Sequence, residues 1–128
     1  MAEQARSIPG EPLVRTVAMP ADTNANGDIF GGWVLSQMDI AGGICAGRVV
    51  KGRVATVAVE GMTFHRPIAV GDLVSLYAEV TRIGTTSVTV RIETIVTRRD
   101  EKDEIKVTEG HFVFVAIDDD GRPRPVRG

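Results

Sequence analysis

The sequence predicts an α+β domain in which one long helix is wrapped by an antiparallel β-sheet. Three observations carry that expectation. Residues 31–46, from Gly31-Gly32-Trp33 to Ile44-Cys45-Ala46, are apolar nearly throughout, which reads as a buried helix rather than a half-exposed one. The segments after Gly52 are rich in β-branched residues and joined by short turns, the pattern of successive strands. One of them, Ser87 to Ile95, alternates strictly, with Val88, Val90 and Ile92 on one face and Thr89, Arg91 and Glu93 on the other. That period marks a strand with one buried side.

The elements follow in order. Residues 1–11 are polar and carry Pro9 and Gly10, so a flexible N-terminus is expected. Pro12 to Met19 reads as a short first strand, and residues 20–30 are turn formers. The helix is expected from 31 to 49, about 28 Å long at ~1.5 Å per residue. Gly47 and Gly52 lie near its end, where Arg48 and Lys51 suit the negative pole of its dipole. Val54 to Val59 is strand-like, and Pro67 with Gly71-Asp72 marks a turn. Leu73 to Ile83 and Ser87 to Ile95 form two strands around a Gly84-Thr85-Thr86 hairpin turn. Residues 98–104 are an unbroken run of charges, read as a solvated hairpin loop. Ile105 to Ile117 is the last strand, Asp118 to Gly121 closes it, and a basic irregular tail follows. Four strands after the helix, linked as a meander, favour antiparallel pairing. The expected division is a single domain over 12–118 with a C-terminal tail at 119–128.

Composition narrows the function classes. A chain of 128 residues is one domain by length. A net charge of −2 supplies no basic face, so a nucleic-acid partner is not expected. Cys45 is alone and can form no intrachain disulfide. The first residues lack a basic-then-apolar signal pattern, and no apolar run is long enough to cross a bilayer. The expectation is a soluble cytoplasmic protein with no membrane partner. The helix is apolar on more faces than one sheet can cover, so a second subunit is expected to cover the rest.

The candidate chemistry centres on Asp39, a carboxylate inside the apolar helix. Such a group is costly unless a partner or a task compensates it. Gly31 and Gly32 open the helix without bulky side chains, leaving free backbone N–H groups at its positive end. Donors of that kind can stabilise a developing oxyanion. Asp28 is the second candidate carboxylate, as general base or water positioner beside Asp39, or as a helix N-cap. Gly31 and Asp39 lie about 12 Å apart along an ideal helix, so a site shared with a partner's antiparallel helix is expected. Asp22 to Ile29 matches the start of a calcium-binding loop but fails where Trp33 replaces the closing Glu, and Pro20 opposes an entering helix; an Asx-rich turn is the reading. Residues 27–32 lack the Lys-Ser/Thr of a phosphate loop. His65 and His111 have no companions at ligand spacing, so no metal site is expected. Ser36 is not in a nucleophile elbow, Cys45 reads as inert core, and Trp33 as core more than ligand contact.

The residues converge on a known pattern. The helix with its Asp, followed by Phe64-His65-Arg66-Pro67-Ile68 and Gly71-Asp72, resembles the hotdog fold. Met19 through Trp33, with Ser36-Gln37-Met38-Asp39, resembles the YciA-type bacterial acyl-CoA thioesterases, and the likeness extends over residues 12–125. It implies hydrolysis of acyl-CoA to free acid and CoA, with no cofactor beyond the CoA of the substrate. It also implies a homodimer with shared sites, assembled to a hexamer as a trimer of dimers. Asp39 falls on the family's helix carboxylate, which either activates water or attacks directly. Gly31 and Gly32 fall on the glycines whose amides polarise the thioester carbonyl. Asn24, Val57, Ala58, Arg82, Gly84, Thr85, Thr86 and Ser87 fall on substrate-binding positions. The stretch Val57 to Gly61 runs beside the pantetheine arm, and the hairpin from Arg82 to Ser87 lies near the CoA phosphates. Related tandem-domain acyl-CoA hydrolases carry Asn in place of Asp28.

Two rival functions share the fold. A hotdog dehydratase or hydratase relies on a histidine, typically as Asp-x-x-x-x-His or as Gly-His-Phe before the helix. The first pattern is absent here, and Gly110-His111-Phe112 lies in the last strand. A non-catalytic acyl-CoA-binding module would keep the pocket without the chemistry, and Asp39 argues against it.

Overall fold

A computed structural model describes residues 5–98 and 104–127. The elements are β1 (Val14–Val17), α1 (Gly31–Val50), β2 (Val54–Phe64), β3 (Leu73–Ile83), β4 (Ser87–Thr97) and β5 (Glu104–Ala116). All strands pair antiparallel in one sheet of order β1-β3-β4-β5-β2. The expected architecture of a long helix against an antiparallel sheet is what is observed.

The helix lays one stripe on the sheet. Val34, Met38, Ala41, Ala46 and Val50 are buried against Val74 and Leu76 of β3, Val88, Val90 and Ile92 of β4, and Phe112, Phe114 and Ala116 of β5. These recur at helical spacing on one side and at alternate positions on the other, so each element buries one face. Gly42 permits the closest approach. A Cβ there would stand 2.7 Å from Ile92 Cδ1 and 2.8 Å from the Phe114 ring, so any larger residue must push helix and sheet apart.

The four-strand meander is corrected by the sheet order. Only β3, β4 and β5 form one. The chain leaves β2 and crosses to the other side of the sheet, because β2 pairs with β5 and not with β3. β2 is also longer than the expected 54–59. Two irregularities, between Thr56 and Ala58 and between Glu60 and Thr63, absorb extra residues, and Gly61 takes φ +57°. Bulges of this kind bend an edge strand and let it continue past a glycine. β1 is shorter than the expected 12–19.

The outer face of the sheet departs most from expectation. Glu93, assigned to the polar side of its strand, is fully buried at 0 % exposure. The N-terminal segment covers it. Within residues 1–11, Ile8 is 2 % exposed and clusters with Tyr77 and Ile95, and Arg6 lies 4.2 Å over the Tyr77 ring. Of the charged run, residues 99–103 lie outside the described residues. Arg98 donates to the Pro67 carbonyl at 2.9 Å and pairs with Asp72 at 3.5 Å. No helix among the described residues is long and apolar enough to cross a membrane.

Candidate active site

Residues 19–30 deliver the chain to the helix start. Asn24 Oδ1 accepts from the amides of Asn26 at 2.9 Å and Asp28 at 3.2 Å, and Asn24 N donates to Asp28 O at 2.7 Å. This is an Asx-based turn, with Gly27 at φ +83° inside it. Among the described residues, no group of three or more His, Cys, Asp or Glu side chains could hold a metal. Asp28 is exposed and does not cap the helix. That position falls to Phe30, which has no side-chain acceptor.

The consequence is a helix start with free donors. Trp33 and Val34 amides share the Phe30 carbonyl at 3.1 and 3.3 Å. The Gly31 and Gly32 amides have no partner among the described residues, and both glycines are exposed. Phe64, at the end of β2, stands beside them: a Cβ on Gly31 would meet its ring at 3.7 Å.

Asp39 sits two turns further along, half-buried at the seam between α1 and β2. Its Oδ1 accepts a 2.5 Å hydrogen bond from Thr56 Oγ1. Its Oδ2 has no partner among the described residues. A single chain therefore does not wall this carboxylate in, as the apolar helix sequence suggested. Ile40 beside it is 51 % exposed, and on β2 Val57 is 58 % exposed. Ile44 and Val59 add to the same uncovered apolar surface, which borders the free edge of β2.

The fold brings Asp39 together with Thr56, Val57 and Ala58. It does not bring the helix start or the hairpin to them within one chain. Gly31 remains about 12 Å away along the helix. From Thr56 the register runs through Phe114 and Val88 to Ile83, three strand spacings or about 14 Å. The hairpin holding Gly84, Thr85, Thr86 and Ser87 is closed by Gly84 N to Ser87 O at 2.8 Å. Arg82 is exposed on β3 just before it. His65 Nε2 pairs with Glu109 at 2.6 Å on the outer face. Cys45 is half-buried, and burial pushes its thiol up, away from the reactive thiolate. Trp33 is half-buried against the core.

Residues 26–101 match the family model of the thioesterase superfamily. This chain belongs to the thioesterase superfamily. The thioesterase is similar to the acyl-CoA thioester hydrolase YciA of Salmonella typhimurium, with 56 % identity over 120 residues, 91 % of this chain and 90 % of that protein. Its structure is similar to the hexameric thioesterase from Yersinia pestis, at TM-score 0.88 and 52 % identity over 93 % of this chain and 97 % of that one. It is also similar to a hexameric hotdog fold thioesterase of Campylobacter jejuni, at TM-score 0.87 and 40 % identity over 91 % and 90 %. The hotdog fold and the YciA-type resemblance are thus borne out.

One residue of the candidate site, Thr56, is not marked by the sequence pattern. Thr56 sits in Val54-Ala55-Thr56-Val57-Ala58-Val59, where a strand hydroxyl gives no sign of its partner. The available signal was its being the one polar side chain in that apolar run.

Proposed function

We propose that this thioesterase hydrolyses acyl-CoA thioesters to free acid and CoA, with Asp39 as the general base. The carrying observation is the half-engaged Asp39 carboxylate. Thr56 occupies Oδ1 and fixes the rotamer, which leaves Oδ2 to take a proton from water. The water oxygen bonds to the acyl carbon, the C–S bond breaks, and CoA leaves as its thiol. Negative charge that builds on the carbonyl oxygen needs donors in place beforehand. The free amides of Gly31 and Gly32 are suited to that work, supplied by the helix of a partner subunit. Asp28, exposed beside that helix start, positions the water. The chemistry consumes only water and calls for no cofactor.

The uncovered apolar surface supports the assembly. Ile40, Ile44, Val57 and Val59 flank an unpaired strand edge, an arrangement that invites pairing with a second copy. The oligomer in this reading is a hexamer built as a trimer of dimers, working in the cytoplasm. Asn24, Val57 and Ala58 contact the substrate, and the hairpin from Arg82 to Ser87 meets the CoA phosphates.

A panel of acyl-CoA substrates with thiol detection tests the activity. Thiol release matched by free acid is expected. CoA binding without release from any substrate would favour the non-catalytic reading. Single turnover in 18O-labelled water tests Asp39 as base: the label is expected in the product acid, and label in Asp39 would make it the nucleophile.

A further inference from the structure

The phenylalanines divide between two places. Phe112 and Phe114 are buried in the core, whereas Phe30 and Phe64 are half exposed at the helix start. Phe30 is there by chain order, as the cap of α1. Phe64 is brought there by the fold, from the end of β2. Its ring rests against Gly31, 3.7 Å from where a Cβ would stand. A large apolar side chain 50 % exposed gives up much of the gain from burial, and solvent on one side leaves its backbone to hold it in place.

The strand end that carries this ring is anchored from the opposite face. β2 shifts register between Glu60 and Thr63, and Gly61 takes φ +57°. Pairing in the first half of the strand therefore does not fix the second half. The next residue after Phe64 points to the other side of the sheet and is tied to β5. His65 N donates to Val107 O at 2.7 Å, and His65 Nε2 donates to Glu109 Oε2 at 2.6 Å. Lys106 Nζ donates to Glu109 Oε1 at 3.4 Å, so both oxygens of that carboxylate are engaged. With side chains 22 % and 29 % exposed, the His65–Glu109 pair is better shielded from solvent than a surface ion pair.

We propose that Phe64 walls one side of the oxyanion site and that the His65–Glu109 pair positions it there. This rests on the acyl-CoA reading above and adds residues that the helix start itself does not supply. Backbone donors stabilise a developing negative charge more strongly where water is kept away. The Phe64 ring keeps water from one side of the Gly31 amide without occupying the amide as a carbonyl would. His65 lies on the far face of the sheet and meets neither substrate nor amide. It acts through Phe64, as a positioning residue.

Thiol release from acyl-CoA, measured per folded molecule over a range of substrate concentrations, tests this. Phe64→Ala should lower kcat by about 10–10²-fold, with KM and CoA affinity by calorimetry little changed. His65→Ala should lower kcat by a similar factor. The double variant should be no slower than Phe64→Ala, because one residue works through the other. His65→Gln, whose amide can still donate to Glu109, should recover most of the loss. A lower melting temperature in His65→Ala with wild-type kcat would overturn the positioning role. Additive losses in the double variant would overturn the route through Phe64. Wild-type kcat in Phe64→Ala would overturn the wall, and that exposed substitution keeps the proposal testable if His65→Ala does not fold. No thiol release by the wild type would overturn the acyl-CoA reading and this proposal with it.

Discussion

Glu93 and Asp39 are carboxylates on opposite sides of one sheet, both set among apolar residues. Glu93 accepts from Ser7 N and Ile8 N at 3.0 and 2.8 Å, from Ser7 Oγ at 2.8 Å and from Lys106 Nζ at 2.9 Å. Arg91 adds an ion pair at 3.4 Å. Burial alone would raise its pKa, but Lys106, the Ile8 amide and Ser7 outweigh that and hold it down at about 2. Among the described residues Asp39 has a single donor, Thr56, and one oxygen left over. A fully engaged carboxylate holds a structure together, because every lone pair is already committed. A half-engaged one keeps capacity for a reacting proton. The count of donors around each group, more than the apolarity of its surroundings, separates the structural role of Glu93 from the role proposed for Asp39.

That contrast can be broken at either end. Glu93→Ala leaves Lys106 buried beside a lost partner and should destabilise the fold by about 3–5 kcal/mol in denaturant unfolding. Thiol release per folded molecule should stay near wild type; a matching fall in turnover would erase the division of roles. Thr56→Val removes a hydrogen bond to a charged group, about 1.5–3 kcal/mol, and should cut turnover per folded molecule roughly tenfold or more while lowering the melting temperature by several degrees. Thr56→Ser should restore most of it. Turnover unchanged in Thr56→Val would show that Asp39 needs no positioning. The smallest effect concerns pH. Because the folded pKa of Glu93 lies below its ordinary value of 4.5, its stabilisation is complete above about 4.5 and is lost as pH falls toward 2. Glu109 is also held low: burial opposes this, and His65 and Lys106 outweigh it. Acid unfolding of Glu93→Gln should therefore be less steep over this window than that of the wild type.

The two carboxylates were also unequally legible. Asp39 announced itself because a charge interrupts an otherwise apolar helix, and the turn-rich approach with two glycines marked the helix start. The helix, expected over 31–49 and observed to Val50, follows from its apolar run, the hairpin around Gly84 follows from turn chemistry, and β3 spans the expected Leu73 to Ile83. Glu93 was hidden in plain alternation. Its partners Ser7 and Ile8 lie more than 80 residues away in sequence, in a segment whose polarity suggested looseness. The placement of β2 beside β5 was hidden for the same reason: neighbours in sequence are the default pairing, and only packing around the helix sends β2 to the far edge. Thr56 gains its meaning from a contact between segments distant in the chain, which no local pattern encodes.

The most direct test of the central claim is thiol release by Asp39→Asn, measured on protein whose CoA affinity is confirmed by calorimetry. Loss of the base should lower turnover by about 10²–10⁴-fold with CoA affinity unchanged. Turnover within a few-fold of wild type would contradict the account, because the open carboxylate oxygen would then have no part in breaking the thioester.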